Sequence, residues 1–228
     1  MEIRFDEQVA IVTGAGRGLG RAHAIAMASK GAKVVVNDFS GSQEISENAN
    51  SVVEEIISAG GEAITNGANV ANFDQVQSMV NETIDKWGRV DILVNNAGIL
   101  RDKTFLKMSV EDMREVIDVH LMGSLNCSKA VWETMREQSY GRIVLTSSSS
   151  GLYGNFGQTN YGAAKMAMVG IMNTLHLEGM KYNIKVNCLA PTAGTAMTDG
   201  LFPEPVFKLM PPESVSPGVV FLCSKDAP

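Results

Sequence analysis

The sequence lacks the features that mark several large classes of protein. No run of five or more Lys or Arg residues occurs, and 25 acidic residues outnumber 19 basic ones, for a formal net charge of −6. Nucleic-acid binding depends on clustered positive charge, so no nucleic-acid partner is expected. No apolar run reaches the roughly 18 residues that span a bilayer, so no membrane partner is expected either.

Cysteine is also scarce. The three cysteines, Cys127, Cys188 and Cys223, include no CxxC pair, and three thiols cannot all pair within one chain. This usage favours reduced thiols in an intracellular protein. Because the N-terminus also has no signal-peptide pattern, we expect a soluble, cytoplasmic protein. No cluster of His and Cys suggests a metal site, and none is predicted.

The sequence does have a regular alternation of short apolar runs with longer amphipathic stretches. Strands are predicted at 8–13, 33–38, 62–66, 90–98, 142–150 and 184–191. Helices are predicted at 18–31, 48–61, 73–88, 109–138, 159–183 and about 215–224. The alternation predicts βαβ units and a parallel sheet. We therefore expect the α/β class, as one Rossmann-like domain over 1–228 with a doubly wound sheet flanked by helices on both faces.

A glycine-rich segment, TGAGRGLG, lies between the first strand and the first helix. Gly14, Gly18 and Gly20 would let the backbone turn sharply and approach a pyrophosphate closely. The N-terminus of the helix would add free N–H groups and a positive dipole end. This placement predicts a dinucleotide site.

Asp38 ends the second predicted strand. A carboxylate there can accept hydrogen bonds from both adenosine ribose hydroxyls and would repel a 2′-phosphate, which favours NAD over NADP. Arg17, in the glycine turn, favours NADP because it could contact a 2′-phosphate. We expect NAD, with NADP as the alternative.

Tyr161 and Lys165 are four residues apart in a predicted helix and share a face. A free tyrosine has a pKa near ~10, so half-ionisation at pH 7 requires about three units of stabilisation. A neighbouring ammonium can supply much of it, and the pair could exchange a proton with a substrate oxygen. The serine run of 146–150 and the turn of 95–98 are expected at the same carboxyl edge of the sheet.

These motifs together resemble the short-chain dehydrogenase/reductase superfamily. TGAGRGLG, NNAG, a strand ending in serines and YGAAK occur in the order and spacing of that family, up to about Pro191. The resemblance implies an NAD(P)-dependent oxidoreductase that interconverts an alcohol and a ketone. It implies Tyr161 as general acid/base, Lys165 as its partner and nicotinamide-ribose ligand, and Ser148, thirteen residues before the tyrosine, as the substrate-binding serine.

The resemblance also implies a set of cofactor-binding residues and an assembly. A homodimer or homotetramer is expected through the helices at 109–138 and 159–183. The final strand usual in the family is expected to be absent, because the chain stops at Pro228. The expected cofactor-binding residues are Gly14, Arg17, Gly18, Leu19, Gly20, Asp38, Asn69, Val70, Asn96, Ala97, Gly98, Tyr161, Lys165, Pro191 and Thr195.

His120 departs from the family pattern, which usually has an Asn that holds a water relaying protons from the lysine. A histidine can hold a water or relay a proton itself, so His120 is predicted to be catalytic, with a partly buried structural role as the alternative. The segments NNAGILRDKTFLKMS, VIDVHLMGS and GLYGNFGQTNYGAAK are similar to the (3R)-hydroxyacyl-CoA dehydrogenase units of multifunctional β-oxidation enzymes.

This narrower likeness implies oxidation of a 3-hydroxyacyl-CoA to the 3-ketoacyl-CoA. Arg101, Lys103 and Lys107 could then meet the CoA phosphates. Alternatives are a 3-oxoacyl-carrier-protein reductase, a steroid-type dehydrogenase, or, in a different class, a catalytically inactive protein that senses the cofactor.

Overall fold

The computed structural model describes residues 2–41, 45–200 and 203–228. Its centre is a six-stranded parallel sheet with the order β3-β2-β1-β4-β5-β6. The strands are β1 Val9–Thr13, β2 Lys33–Asn37, β3 Glu62–Asn66, β4 Ile92–Asn95, β5 Gly141–Thr146 and β6 Ile184–Leu189. The strand order reverses between β1 and β4, which is where doubly wound sheets bind ligands beyond the carboxyl ends. The predicted fold class is confirmed.

Helices cover both faces of the sheet, as predicted. Their bounds are α1 Gly18–Ser29, α2 Glu47–Ser58, α3 Phe73–Trp87, α4 Val110–Ile117, α5 Gly123–Gln138, α6 Ser149–Tyr153, α7 Thr159–Gly179, α8 Glu204–Lys208 and α9 Ser216–Cys223. The apolar faces of α1, α2 and α9 bury one side of the sheet, and those of α3, α5 and α7 bury the other. Burial on both sides explains why β1, β4 and β5 are continuous apolar runs.

The helix predicted over 109–138 is confirmed as one helical stretch from Val110 to Gln138, but it is not α-helical throughout. Ser109 does cap the helix, with a reciprocal bond to Asp112, but α4 ends at Ile117 and a π-helical turn, Asp118–Met122, precedes α5. A π turn inserts one extra residue without disturbing the apolar periodicity on either side, so the pattern did not reveal it. Such turns occur frequently at functional sites.

Two of the predicted strands end well before their expected C-terminal bounds. The strand expected over 142–150 ends at Thr146, because Ser148 caps the short helix α6 through its Oγ, which accepts from the Ser150 N–H. The strand expected over 90–98 covers only Ile92–Asn95. In both cases the polar residues after the strand leave the ladder and form the turn that carries site residues.

The end of the chain lies beside the edge strand β6. Lys185 and Asn187 donate side-chain hydrogen bonds to the carbonyl oxygens of Ala227 and Pro228. Among the residues described after α9, none forms a strand with β6. The region after β6, in which one helix was predicted, contains α8 and a 3₁₀ turn, Pro212–Ser214, in addition to α9.

Candidate active site

The glycine turn packs tightly against the turn that follows β4. Gly14 has φ +61°, and a Cβ there would lie 2.8 Å from the Cα of Ala97. Gly18 also has a positive φ of +55°. A Cβ on Gly20 would overlap the Gly14 carbonyl and the Asn96 amide. The turn therefore requires glycine at these positions.

Thr13 joins the two turns, although no sequence pattern distinguishes it. Its hydroxyl donates to the Val94 carbonyl at 3.3 Å and accepts from the N–H groups of Asn96 and Ala97 at 3.0 and 3.1 Å. The Asn96 side chain donates back to the carbonyls of Thr13 and Gly14. These contacts hold the glycine turn and the NNAG turn as one unit.

The N-terminus of α1 is suited to an anion. Its N-cap, Arg17, is extended, and within the described residues no side chain caps this helix and no acid lies in its first turn. The Arg17 side chain is exposed, and Leu19 is half-buried. Free N–H groups at a helix N-terminus beside a glycine turn fit the pyrophosphate of a dinucleotide.

Asp38 lies against the glycine turn. A Cβ on Gly16 would overlap the Asp38 carboxylate and lie 2.6 Å from its Cγ. The Ser46 hydroxyl donates to Oδ2 of Asp38 at 2.8 Å. An isolated bridge between Phe39 and Ile45 brings Ser46 back beside Asp38. Neither Gly16 nor Ser46 was identified from sequence, although the glycine at 16 is visible in the TGAGRGLG segment.

Asn69 and Val70 lie beyond β3. The Asn69 Oδ1 accepts from the Ala71 N–H, so this side chain shapes its own turn. Val70 is buried against Gly123, where a Cβ would lie 2.7 Å from a Val70 methyl. The Val70 carbonyl accepts from the Asn126 amide at 2.9 Å. These contacts fix the sheet edge next to Asp38.

Tyr161 and Lys165 occupy one face of α7, as predicted. The Lys165 Nζ lies 5.6 Å from the centre of the Tyr161 ring and donates to the Thr146 carbonyl at 2.7 Å. Ser148 is close enough to the Tyr161 side chain to lower the pKa of its hydroxyl. Ser148 reaches this position because the chain turns into α6 directly after β5. The three residues are therefore together at the carboxyl edge.

The electrostatics differ from the expectation that Lys165 lowers the pKa of Tyr161. Burial raises the pKa of Tyr161, the neighbouring Ser148 opposes this, and the charge of Asp102 adds to it. Burial also lowers the pKa of Lys165 to about 7. A lysine that itself resists protonation gives little stabilisation to a phenolate, so in the free chain desolvation decides the pKa of Tyr161.

His120 lies in the π turn, buried and edge-on to Tyr161, with ring centres 5.2 Å apart. Its Nε2 is 3.0 Å from the N and 2.8 Å from the O of Ile99. Its buried Nδ1 has no hydrogen-bond partner among the residues that the structure describes. Burial and the charge of Lys165 lower the pKa of His120 to about 3, so the ring is neutral near pH 7.

The start of α7 is tied to the loop of residues 99–104. The buried Asn160 donates to the carbonyls of Arg101 and Asp112, and its Oδ1 accepts from the Tyr161 N–H at 2.8 Å. Gln158 donates to Asp102 at 2.6 Å. Asn160 was not identified from sequence, because a lone Asn before a tyrosine carries no distinctive pattern.

The segment after β6 lies over the glycine turn. A Cβ on Gly18 would lie 3.5 Å from the Thr195 methyl, so Thr195 covers this glycine. Thr198 holds the segment by donating to the Ala193 carbonyl and accepting from the Thr195 N–H. Pro191 is half-buried at its start. The structure thus brings Thr195 to the predicted site, on the side of α1.

The positive charges expected to meet CoA are largely paired. Arg101 forms a bidentate ion pair with Glu115, and Lys103 pairs with Asp112 at 2.8 Å. Lys107 is exposed. Arg101 and Lys103 thus anchor the loop to α4, a role that sequence order could not reveal.

Neither a metal-binding cluster nor a membrane-spanning helix is present among the described residues. No group of three or more His, Cys, Asp or Glu side chains there could hold a metal ion. No helix in that part of the chain is both long and apolar enough to cross a membrane.

The family model described as short chain dehydrogenase matches residues 8–205, most of the chain. The chain belongs to the short-chain dehydrogenase family. It is accordingly an NAD(P)-dependent oxidoreductase acting on CH–OH groups.

The chain resembles curated relatives of different architecture. It is 49% identical over 228 residues to the mouse peroxisomal multifunctional enzyme type 2, covering 97% of this chain but only 30% of that enzyme. It is 45% identical to the 3-oxoacyl-[acyl-carrier-protein] reductase of Synechocystis, covering 96% of this chain and 90% of that one. The chain thus spans less than a third of the mouse multifunctional enzyme and most of the single-domain reductase.

Solved structures show the same fold. A short chain dehydrogenase from Mycobacterium avium superposes with a TM-score of 0.88 at 43% identity, covering 97% of this chain and 79% of that one. A 7α-hydroxysteroid dehydrogenase complexed with NADH and a 7-oxo bile acid has a TM-score of 0.88 at 30% identity, covering 97% and 89%.

Proposed function

We propose that the protein oxidises a (3R)-3-hydroxyacyl-CoA to the 3-ketoacyl-CoA with NAD. The placement of Tyr161, Lys165 and Ser148 beside the glycine turn carries this proposal. The substrate class is supported by the similarity to multifunctional enzymes and to a 3-oxoacyl reductase, since the latter's name denotes the same carbon-3 chemistry on another carrier.

Tyr161 and Ser148 would bind the substrate oxygen and exchange a proton with it. The Ser148 hydroxyl would donate to the oxygen at carbon 3 and orient it toward Tyr161. Because the pKa of Tyr161 is raised, the tyrosine must first give its own proton to the Lys165 side, and its phenolate would then take the substrate's hydroxyl proton as general base. When bound, the nicotinamide supplies the hydride acceptor. The effect of Ser148 on the pKa of Tyr161 supports this arrangement, in which both hydroxyls would contact the same substrate oxygen.

Lys165 and His120 would return the proton to solvent. The Lys165 amine has a pKa of about 7 and so can gain or lose a proton near neutral pH. The buried Nδ1 of His120, unpaired in the part of the chain that the structure describes, needs a polar partner. We assign that place to a water between His120 and Lys165, which gives His120 the function of the family's asparagine.

The dinucleotide would bind along the edge formed by the two interlocked turns. Gly14, Gly18 and Gly20 leave room for the pyrophosphate, and the N-terminus of α1 supplies donors to it. Asp38 beside Gly16 favours the unphosphorylated ribose of NAD, whereas the exposed Arg17 favours NADP. The remaining predicted contacts are Leu19, Asn69, Val70, Asn96, Ala97, Gly98, Tyr161, Lys165, Pro191 and Thr195.

The protein is also proposed to act in the cytoplasm as a homodimer or homotetramer. Apolar side chains are exposed on or next to α7, with Leu177 67%, Met180 60% and Met166 48% exposed. A second copy could cover them. Light scattering of purified protein, repeated with Leu177→Glu, would test the assembly, since a monomeric wild type excludes it.

Absorbance at the NADH band tests the function. Protein, NAD and a medium-chain (3R)-3-hydroxyacyl-CoA should give turnover that Tyr161→Phe abolishes, while Tyr153→Phe, at an exposed tyrosine on α6, should retain it. The (3S) isomer should not react.

The reverse reaction separates the alternatives. Faster reduction of a 3-ketoacyl carrier protein with NADPH than of the CoA thioester with NADH would favour the carrier-protein reductase. Reaction with a hydroxysteroid only would favour the steroid dehydrogenase. Binding of NAD without turnover of any of these substrates would favour the inactive cofactor sensor.

A further inference from the structure

The preference for NAD over NADP depends on the orientation of the Asp38 carboxylate. Three contacts hold Asp38 in place. The Asp38 N–H donates to the Asn66 carbonyl at 3.0 Å, which holds the backbone at the end of β2. Its carboxylate occupies the space that a Cβ on Gly16 would take. The third contact is the hydrogen bond that Ser46 donates to Oδ2 at 2.8 Å.

Ser46 is the N-cap of α2, but its hydroxyl bonds to the Asp38 carboxylate and not to the helix. An N-cap serine normally accepts a hydrogen bond from an N–H of the first helical turn. Within the described residues, the Ser46 side chain makes no such bond. Ser46 is 5% exposed, so its hydroxyl is buried in contact with the carboxylate.

The backbone brings Ser46 to this place. Phe39 and Ile45 pair as an isolated antiparallel bridge directly after Asp38 and directly before Ser46. The first turn of α2 also packs on the glycine turn, since a Cβ on Gly16 would lie 3.0 Å from the Cβ of Asn48. The start of α2, the end of β2 and the glycine turn therefore meet at Asp38.

We infer that Ser46 is a positioning residue for cofactor selection, which holds the Asp38 carboxylate toward the ribose and thereby favours NAD over NADP. This inference rests on the proposed NAD-dependent function. A carboxylate without this donor can rotate away from the ribose, which weakens its bonds to the hydroxyls and its repulsion of a 2′-phosphate together.

Ser46→Ala tests the inference. The variant and the wild type are titrated directly with NADH and with NADPH in the absence of substrate, and protein fluorescence measures binding. The ratio of the two affinities should shift roughly tenfold toward NADPH, the effect of losing one hydrogen bond to a charged group. The melting temperature should also fall modestly, because the lost hydrogen bond is buried within the fold, so the ratio of the two affinities is the deciding measurement. Ser46→Thr, which keeps the hydroxyl, should restore the preference.

Ser109→Ala is the matched control, because the Ser109 hydroxyl does cap its helix, accepting from the Asp112 N–H at 3.0 Å. It should lower the melting temperature and leave the affinity ratio unchanged. If the wild type prefers NADH but Ser46→Ala keeps the same ratio, the inference is wrong and the proposed function stands. If the wild type binds neither dinucleotide, or prefers NADPH, the proposed function itself fails.

Discussion

The imidazole ring of His120 lies directly on the backbone of Gly98. A Cβ on Gly98 would overlap Cε1 of His120 and lie 3.0 Å from its Nδ1. The glycine that ends the NNAG turn therefore has a role besides any contact with a cofactor, since it makes room for the histidine that stands where the family usually has an asparagine. The π turn that carries His120 and the turn after β4 are coupled through this contact.

Gly98→Ala should destabilise the protein by about 1–3 kcal/mol, because the new methyl group overpacks a buried ring. The double variant Gly98→Ala with His120→Ala should lose less stability than the sum of the two single variants, since removal of the ring frees the space. Urea unfolding of all four proteins measures the difference. Strict additivity would show that the ring and Gly98 do not press on each other.

Lys165→Met should alter the pH dependence of stability. The pKa of the buried lysine is lowered from 10.5 to about 7, so below pH 7 folding buries a charge, whereas above pH 10.5 the amine is neutral in both states. The wild type should therefore gain stability relative to the variant as the pH rises, by about 2–3 kcal/mol between pH 7 and 9. Denaturation at pH 6, 7, 8 and 9 measures it, and a constant difference would contradict the prediction.

Thr13→Val should weaken both folding and dinucleotide binding. The valine has the same shape but leaves the N–H groups of Asn96 and Ala97 without their acceptor, at a cost of about 1–3 kcal/mol. Thr13→Ser keeps the hydroxyl and should retain most of the stability and the NADH affinity. Equal loss in both variants would instead assign the effect to the lost methyl group.

Asn160→Asp should be more harmful than Asn160→Ala. The carboxylate keeps an acceptor for the Tyr161 N–H but faces the carbonyl oxygens of Arg101 and Asp112, to which the native amide donates. Alanine removes these bonds without adding repulsion, so we expect a loss of about 1–3 kcal/mol for Ala and more for Asp. Thermal unfolding would rank them, and an aspartate variant as stable as wild type would refute the predicted contacts.

The sequence determined the fold and the general place of the site. Strands buried on both faces read as apolar runs, and parallel strands place all their carboxyl ends at one edge. For this reason Gly14, Asp38, Asn96, Ser148 and Tyr161 could be assigned to one region from their order alone. The four-residue spacing of Tyr161 and Lys165 on a helix likewise fixed their shared face.

Only the tertiary structure decided how these residues interact. The π turn at His120, the contact of Asp38 with Gly16 and Ser46, and the three bonds of the Thr13 hydroxyl join residues that are distant in sequence or invisible to its periodicity. The pKa of Tyr161 shows the physical reason: the spacing predicted that Lys165 would lower this pKa, but burial of the tyrosine raises it. Desolvation and packing depend on what surrounds a side chain, and only the folded chain supplies those surroundings.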